Sequence, residues 1–483
     1  MRLVRAQAVL GHKGADALLI DGGSVAAIGR SADLARSDVE TLDHGTGVIA
    51  PALHDHHFHP IGYASAVIGL SLKNAINFED LASRLRAAAD LLQPNEALIG
   101  NRLDEERMTE HRLPTRFDLD RAVPERPALV YRYCGHVAVA NTAAMKLAGL
   151  EGNGILSEDS IKPVSNALAA FQPTLEPEAV QRALAGLSSV GLGTITAIVS
   201  VGEPLWCGVS DEIETLLSVA AGLPIDFETL VIASTPSELE TAAQRLANGP
   251  PNVRFFGWKE FADGSLGGRT AALYEPYSDD PDNTGILRLD IDNARKMAEA
   301  CLGLSGTVAI HAIGDRANDQ VLDLFEGIVA GGADPARLRI EHASVLTPDA
   351  IERMAMLGVT ASVQPAFLAS EVEWLGKRLG PRVDRTYSMD AMAAAGVQMV
   401  GGSDCPVEPP NPWGGISAAA GPGHLGPRGA IDLFGVALTT GVDADFLVID
   451  RDPITSPEIG DTKVLAAYRN GEPLTLIDEL PFS

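Results

Sequence analysis

The feature that most constrains this chain is an alternation of strand-like and helix-like segments. Eight stretches rich in apolar and β-branched residues recur between positions 47 and 404: GVIAPALHDHHFH, GTITAIVS, PIDFETLVIA, VRFFGWKEFAD, TVAIHAIG, LRIEHAS, VTASVQP and VQMVGGSD. Helical patterns such as IDNARKMAEACLGL and PDAIERMAML lie between them. Parallel strands need long crossover connections, usually helical, so the alternation reads as a parallel sheet. Eight strands match the count of a closed (β/α)8 barrel, a TIM-like α/β fold whose C-terminal strand ends converge on one mouth.

Two departures from simple alternation define the expected domains. The first and second strands are separated by residues 62–188, far too long for one connection. This stretch holds a helical pattern (NFEDLASRLRAAADLL) and strand-like runs (EALIGN, PALVYRYCG), and is expected to form an inserted cap subdomain. Both termini read as short strands. ALLIDGGSVAAIG breaks at Asp21-Gly22-Gly23, and VLAAYRNGEPLTL carries an Asn-Gly hairpin signal at Asn470-Gly471. The expectation is a β-sandwich domain from residues 1–50 plus 441–483, a barrel from 51–61 plus 189–440, and the insertion at 62–188. The Gly/Pro-rich stretch at 418–430 reads as a loop.

Composition narrows the function classes. Acidic residues outnumber basic ones 64 to 37, a net charge of −27, which repels nucleic acid and anionic membrane surfaces. Cys134, Cys207, Cys301 and Cys405 are scattered without a CxxC pair, so neither a disulfide framework nor a cysteine-based zinc site is indicated. The N-terminal stretch lacks the apolar core of a signal peptide, and no run is long and apolar enough for a membrane span. The expectation is a cytoplasmic protein acting on a small molecule, with a homodimer as the base-rate oligomer.

The strongest local signal is His57-Phe58-His59. Residues two apart on a strand face the same way, so both imidazoles can reach one metal ion. Other ligand-type residues sit in later strands: Lys259 in FFGWKEFADGS, then His311, His342 and Asp404 at the ends of theirs. Singly, each has a plainer explanation: a surface lysine, core histidines bonded to backbone, a turn aspartate in SDCP. Lys259 is flanked by Phe255, Phe256, Trp258 and Phe261, which argues for burial. A buried lysine loses its charge readily, and a neutral amine can take up carbon dioxide as a carbamate. The joint pattern carries the inference: six such residues would meet at one rim of the barrel.

The chain resembles the amidohydrolase superfamily, and within it amidohydrolase family 3, which includes N-substituted formamide deformylases. The resemblance runs over nearly the whole chain. It is carried by HFH at 57–59, KEFADGSLGGRTAAL at 259–273, HAIGDRA at 311–317, RIEHA at 339–343, GSDCPVEPPNPW at 402–413 and GVDADFLVID at 441–450. LPTRFDLDRAVPERPALVYRYCGH and GILSE in the insertion also resemble family stretches.

The resemblance implies a metal-dependent hydrolase of amide or N-substituted formamide C–N bonds. It implies His57 and His59 on one divalent ion, Lys259 as a carboxylated bridge, His311 and His342 on a second ion, and Asp404 as both ligand and proton shuttle. Zinc is the metal it suggests, and a bridging hydroxide the nucleophile. His136, Asp315 and Arg316 are expected to contact substrate or support the ligands. Within the superfamily the alternative is a deaminase or a cyclic amidohydrolase; from another class, an inactive metal-binding or ligand-sensing protein. Two departures fall in the insertion. Cys134 stands where relatives carry Asp before Gly-His, and Arg102-Leu103-Asp104 stands where they often show Gly-Trp-Asp. The segment after Trp413 is also short.

Overall fold

The computed structural model describes residues 1–172, 175–202, 211–435 and 437–477. Cys207 lies outside them. Eight parallel strands form one sheet: β1 (Leu53–Phe58), β2 (Leu192–Ser200), β3 (Asp226–Ile232), β4 (Val253–Phe261), β5 (Thr307–Ala312), β6 (Leu338–His342), β7 (Thr360–Val363) and β8 (Gln398–Gly401). They neighbour one another in chain order. The sheet is nearly closed into a TIM barrel. Its two edges are stitched past the end of β8, where Asp404 N–H donates to the His57 carbonyl at 2.8 Å and His59 N–H to the Cys405 carbonyl at 2.9 Å. The seam of the barrel thus coincides with the His-Phe-His signal.

The strands form where β-branched and apolar residues run together, and the helices where apolar residues recur every three or four positions. Helix Ile291–Gly303 shows the second pattern: it buries Ala294, Met297, Ala298 and Cys301 and starts under an Asp290 cap that accepts from Asp292 N–H and Asn293 N–H. These side chains join the shell between helices and sheet. Truncating Met297 to Ala would cost about 2–5 kcal/mol. Ile198, Leu230 and Ala309 form a separate, smaller cluster from strands β2, β3 and β5.

Residues 62–188 contain a five-stranded sheet of their own: Ile155–Ser157, Val137–Ala140, Ala128–Arg132, Leu98–Leu103 and Leu70–Ser71, in that spatial order. Strict alternation explains its two faces. Ala128 and Val130 pack into one apolar cluster, and Leu129 and Tyr131 into another. The chain ends make two further sheets, of four and five strands. One of them joins both ends, with Phe446–Ile449 antiparallel to Val48–Pro51. The expected hairpins are present. Gly22 and Gly23 take φ +57° and +86°, and Asn470 and Gly471 take +49° and +74°. Two successive positive φ values are what a type I′ turn requires.

The stretch at 418–430 corrects an expectation: it is not simply a loop. Helix Pro412–Ala419 runs into its start, and helix Gly426–Asp432 forms at its end. Asn411 caps the first by accepting from Trp413 N–H at 3.1 Å. Trp413, Ile416 and Ala419 are buried, as are Ala430 and Ile431. Gly423 and Gly426 still make the turn between the two helices, with φ +81° and +68°, whereas glycines just outside the stretch serve packing. A Cβ on Gly401 or Gly415 would lie 2.7 or 3.0 Å from the Phe434 ring. The segment is short, yet its helices pack against each other and are anchored by buried side chains. Among the described residues, no helix is long and apolar enough to cross a membrane.

Candidate metal centre

The site grows from the first strand. His57 lies in β1 and His59 one residue beyond its end, so alternation brings both rings to the mouth, their centroids 5.5 Å apart. Asp404 reaches them from across the seam in a left-handed backbone conformation, φ +55°. Few non-glycine residues adopt this region, and it re-aims the side chain after β8. Asp55 locks the seam from below: its Oδ1 accepts from His57 N–H at 3.1 Å and Ser403 N–H at 3.0 Å. Burial raises the Asp55 carboxyl to about 6.

The ligand-type atoms of His57, His59 and Asp404 all lie within 4.8 Å of one another. Asp404 Oδ1 stands 3.2 Å from Nε2 of His57 and 3.2 Å from Nε2 of His59. That oxygen is buried and makes no hydrogen bond. Donor atoms a little over 3 Å apart have the spacing of ligands sharing one ion with bonds of about 2.0–2.2 Å. An orphaned carboxylate oxygen among imidazoles would be costly unless a cation occupies the gap. The residues therefore fit a divalent metal.

The other predicted ligands continue the cluster. His342 lies 4.9 Å from His57 between ring centroids, and His311 lies 4.4 Å from His342. Lys259 is fully buried in β4. Its Nζ donates to the Glu260 carbonyl at 3.2 Å and sits 3.7 Å over the Phe261 ring centre. Burial lowers its ammonium to about 8, while Glu341 and Asp404 pull the other way.

Partners on the far ring nitrogens set the tautomers. A carboxylate or carbonyl only accepts, so the nitrogen facing it carries the proton. His57 Nδ1–H thus donates to Glu341 Oε2 at 2.6 Å, leaving Nε2 for a metal. His342 Nδ1–H donates to Gln364 Oε1 at 2.7 Å, leaving Nε2; the Gln364 amide is oriented by its own bond to the Ser362 carbonyl. His311 Nε2–H donates to the Gly264 carbonyl at 3.0 Å, leaving Nδ1. Burial lowers His59 to about 4 and holds His311 and His342 well below the ordinary imidazole range, so all three are neutral at pH 7.

Sequence reasoning did not reach Glu341, Gln364, Asp263 or Arg132. Glu341 has a readable signal, since Arg339 and Glu341 are two apart and the guanidinium of Arg339 pairs with Glu341. It was hidden by its neighbour. Alternation puts residues 341 and 342 on opposite faces, but His342 turns left-handed, φ +72°, so both serve the mouth. Asp263 accepts from Ala272 N–H, Ile313 N–H and Gly314 N–H at 2.8, 3.0 and 2.8 Å, fastening the loop after β4 to the exit of β5.

Of the three supporting residues expected, His136 joins the cluster, 5.3 Å from His311 between centroids, with Nδ1 held by Glu158 at 3.1 Å. Asp315 opens the helix after β5, where its Oδ1 accepts from Tyr274 N–H at 3.0 Å and Arg316 N–H at 2.9 Å. Arg316 N–H donates to the Ala272 carbonyl at 3.2 Å. Both hold the 272–274 segment. A small cavity of about 30 Å³ touches His136, His311, His342 and Asp404, with Leu266, Phe367 and Val407 as its apolar wall. A wider cleft of about 450 Å³ meets it at His136 and runs past Glu158, Glu260 and Arg288.

Parallel strands whose C-terminal ends gather four imidazoles around a buried carboxylate have the arrangement of a metal-dependent hydrolase. The chain belongs to the amidohydrolase family, whose model matches residues 40–422. It is similar to the Bacillus subtilis protein YtcJ, which carries an amidohydrolase name, with 29% identity over 460 residues and 86% of each chain covered. It is also similar to the N-substituted formamide deformylase of Arthrobacter pascens, 23% identical over 515 residues, covering 95% of this chain and 94% of that one. Among solved structures, an uncharacterized metal-dependent hydrolase from Pyrococcus horikoshii OT3 superposes with a TM-score of 0.71 and 28% identity, covering 94% of this chain and 99% of that one.

Proposed function

We propose that the chain hydrolyses the C–N bond of a small amide, N-substituted formamides included. His57, His59 and Asp404 would hold one divalent ion, and His311 and His342 a second, with Lys259 between them. The observation that carries this reading is the buried, unbonded Asp404 Oδ1 facing the Nε2 atoms of His57 and His59. Zinc suits imidazole and carboxylate donors. When bound, such ions supply a Lewis acid for the substrate carbonyl and lower the pKa of water to about 7.

The remaining work falls to the chain. With its ammonium lowered to about 8, Lys259 holds a neutral fraction at pH 7, the form that would take up carbon dioxide, release a proton and become an anionic carbamate able to serve as a metal ligand. Asp404 accepts the proton of the attacking water and returns it to the leaving nitrogen. His136, kept in place by Glu158, borders the cavity and orients the carbonyl. Asp315 and Arg316 shape the 272–274 segment. Residues 62–188 serve as a cap: Arg132, Tyr133, Cys134 and His136 enclose one side of the cavity. The formamide deformylase relative supports the substrate class, and the Pyrococcus structure supports the metal dependence.

The test is metal content and turnover on N-formyl, N-acyl and cyclic amides. The expected products are a free amine and a carboxylate; released ammonia would point to deamination instead. Protein that binds metal yet turns over nothing would favour a ligand-sensing role. Protein that is metal-free and resists reconstitution would remove the proposal.

A further inference from the structure

We propose that the substrate carries a carboxylate in addition to its scissile amide, and that the guanidinium of Arg132 grips it. The inference rests on the hydrolase reading above and deepens it. Arg132 ends a strand of the inserted sheet and is 2% exposed. Its Nε–H donates to both Glu105 oxygens at 2.9 Å. The two Nη nitrogens are buried without a hydrogen bond, and Arg132 borders the same small cavity as His311, His342 and Asp404. A buried guanidinium with several unsatisfied N–H donors is expensive unless an acceptor arrives. The paired Nη donors present a planar fork that matches a carboxylate.

The surroundings keep this fork in place and free of an internal oxygen. The guanidinium carbon lies 4.3 Å from the Tyr133 ring centre. Gly267 lets the arginine approach closely: a Cβ there would meet Nη1 at 2.5 Å. Glu105 balances the charge from the Nε side, which keeps the empty site tolerable. Glu371 also borders the cavity, but it makes no hydrogen bond to either Nη nitrogen. Cys134 is the side chain beside the guanidinium, and its thiol brings no anion to the two Nη nitrogens. With about 30 Å³ of space, the cavity admits a group of a few heavy atoms, the size of a carboxylate.

The experiment measures equilibrium binding of propionate and propionamide by NMR titration of the native protein, of Arg132→Met/Glu105→Gln and of Cys134→Asp. It is run beside turnover of N-acetylalanine and N-acetylalaninamide. The double variant removes both members of the buried ion pair, and Cys134→Asp gives the fork an internal anion; circular dichroism and metal content establish that each is folded and loaded. The native protein should bind propionate at least tenfold more tightly than propionamide and favour N-acetylalanine by a similar factor. Both variants should lose that preference. Equal binding of the two probes by native protein would overturn the proposal. So would propionate binding that survives in both variants, because that site would be the metal rather than Arg132. An Arg132-dependent propionate site in a protein that turns over no amide supports the grip and sinks the hydrolase reading. Turnover of both amides at equal rates does the reverse.

Discussion

The barrel mouth and the inserted sheet meet at one cavity but treat their polar groups differently. At the mouth, His57, His342 and His311 each have one ring nitrogen engaged, by Glu341, Gln364 and the Gly264 carbonyl. Their remaining nitrogens are thereby fixed in protonation and direction. In the insertion, Arg132 has one edge engaged by Glu105 and the other left open. The mouth is preorganised for one chemistry, as metal sites require. The insertion is half-satisfied, as a recognition site must be before its ligand arrives. On the function proposed above, chemistry would sit on strands whose positions the sheet dictates, and selectivity on a unit that can vary independently.

Four measurements would break or sharpen this contrast. The largest effect is expected at the mouth: Asp404→Asn should lower turnover by about 10²- to 10⁴-fold, the usual span for losing a proton-transfer group. A variant with near-native rates would remove Asp404 from the chemistry.

At the seam between the two regions lies Glu371, which burial raises to about 7 against an ordinary 4.5; Tyr387, Arg132 and Arg378 oppose the shift, and Glu408 adds to it. The folded state binds this proton more tightly than the unfolded chain. Its contribution is therefore fully present below pH 4.5 and lost as pH rises to 7, by up to about 3 kcal/mol. Urea unfolding of Glu371→Gln at pH 5 and pH 8 should show a smaller fall in stability with pH than native protein shows. Identical slopes would mean that the carboxyl is not held protonated.

Glu341→Gln keeps the shape but weakens the hold on His57, and should cost about 10- to 100-fold in metal affinity, read by chelator competition. Unchanged affinity would show that the mouth does not depend on its supporting shell. The smallest effect belongs to the insertion alone. Asn77 caps its helix Phe78–Ala89, accepting from Asp80 N–H at 2.8 Å. Asn77→Ala should cost about 1 kcal/mol in thermal unfolding and leave metal content unchanged. A loss of metal would show that the two regions are not separable.

The sequence is legible where structure is local. The eight strands follow from runs of apolar and β-branched residues, and the two hairpin turns from Asp-Gly-Gly and Asn-Gly. His57 and His59 share a face because residues two apart on a strand point the same way. It is less legible where small residues dilute the pattern: helix Pro412–Ala419 hides Trp413 and Ile416 among glycine and alanine. It is not legible where a backbone reversal breaks the period. Strand alternation alone would face Glu341 away from His342, and the left-handed His342 puts both beside His57. Arg132 gave no signal at all, since an arginine on a strand is read as exposed or paired unless its burial is known.

The sequence by itself determined the class of fold, the order of the strands and the set of residue types available for metal chemistry, because backbone periodicity and side-chain chemistry are properties of short stretches. Only the tertiary structure decided which of those residues share a site. Ser403 and Asp55 are 348 positions apart along the chain, yet one hydrogen bond at the barrel seam joins them and brings Asp404 over His57 and His59. Which imidazole nitrogen stays free, and which half of a guanidinium stays open, depends on partners from distant segments. No local pattern encodes them, because hydrogen bonding is satisfied only once the whole chain has packed.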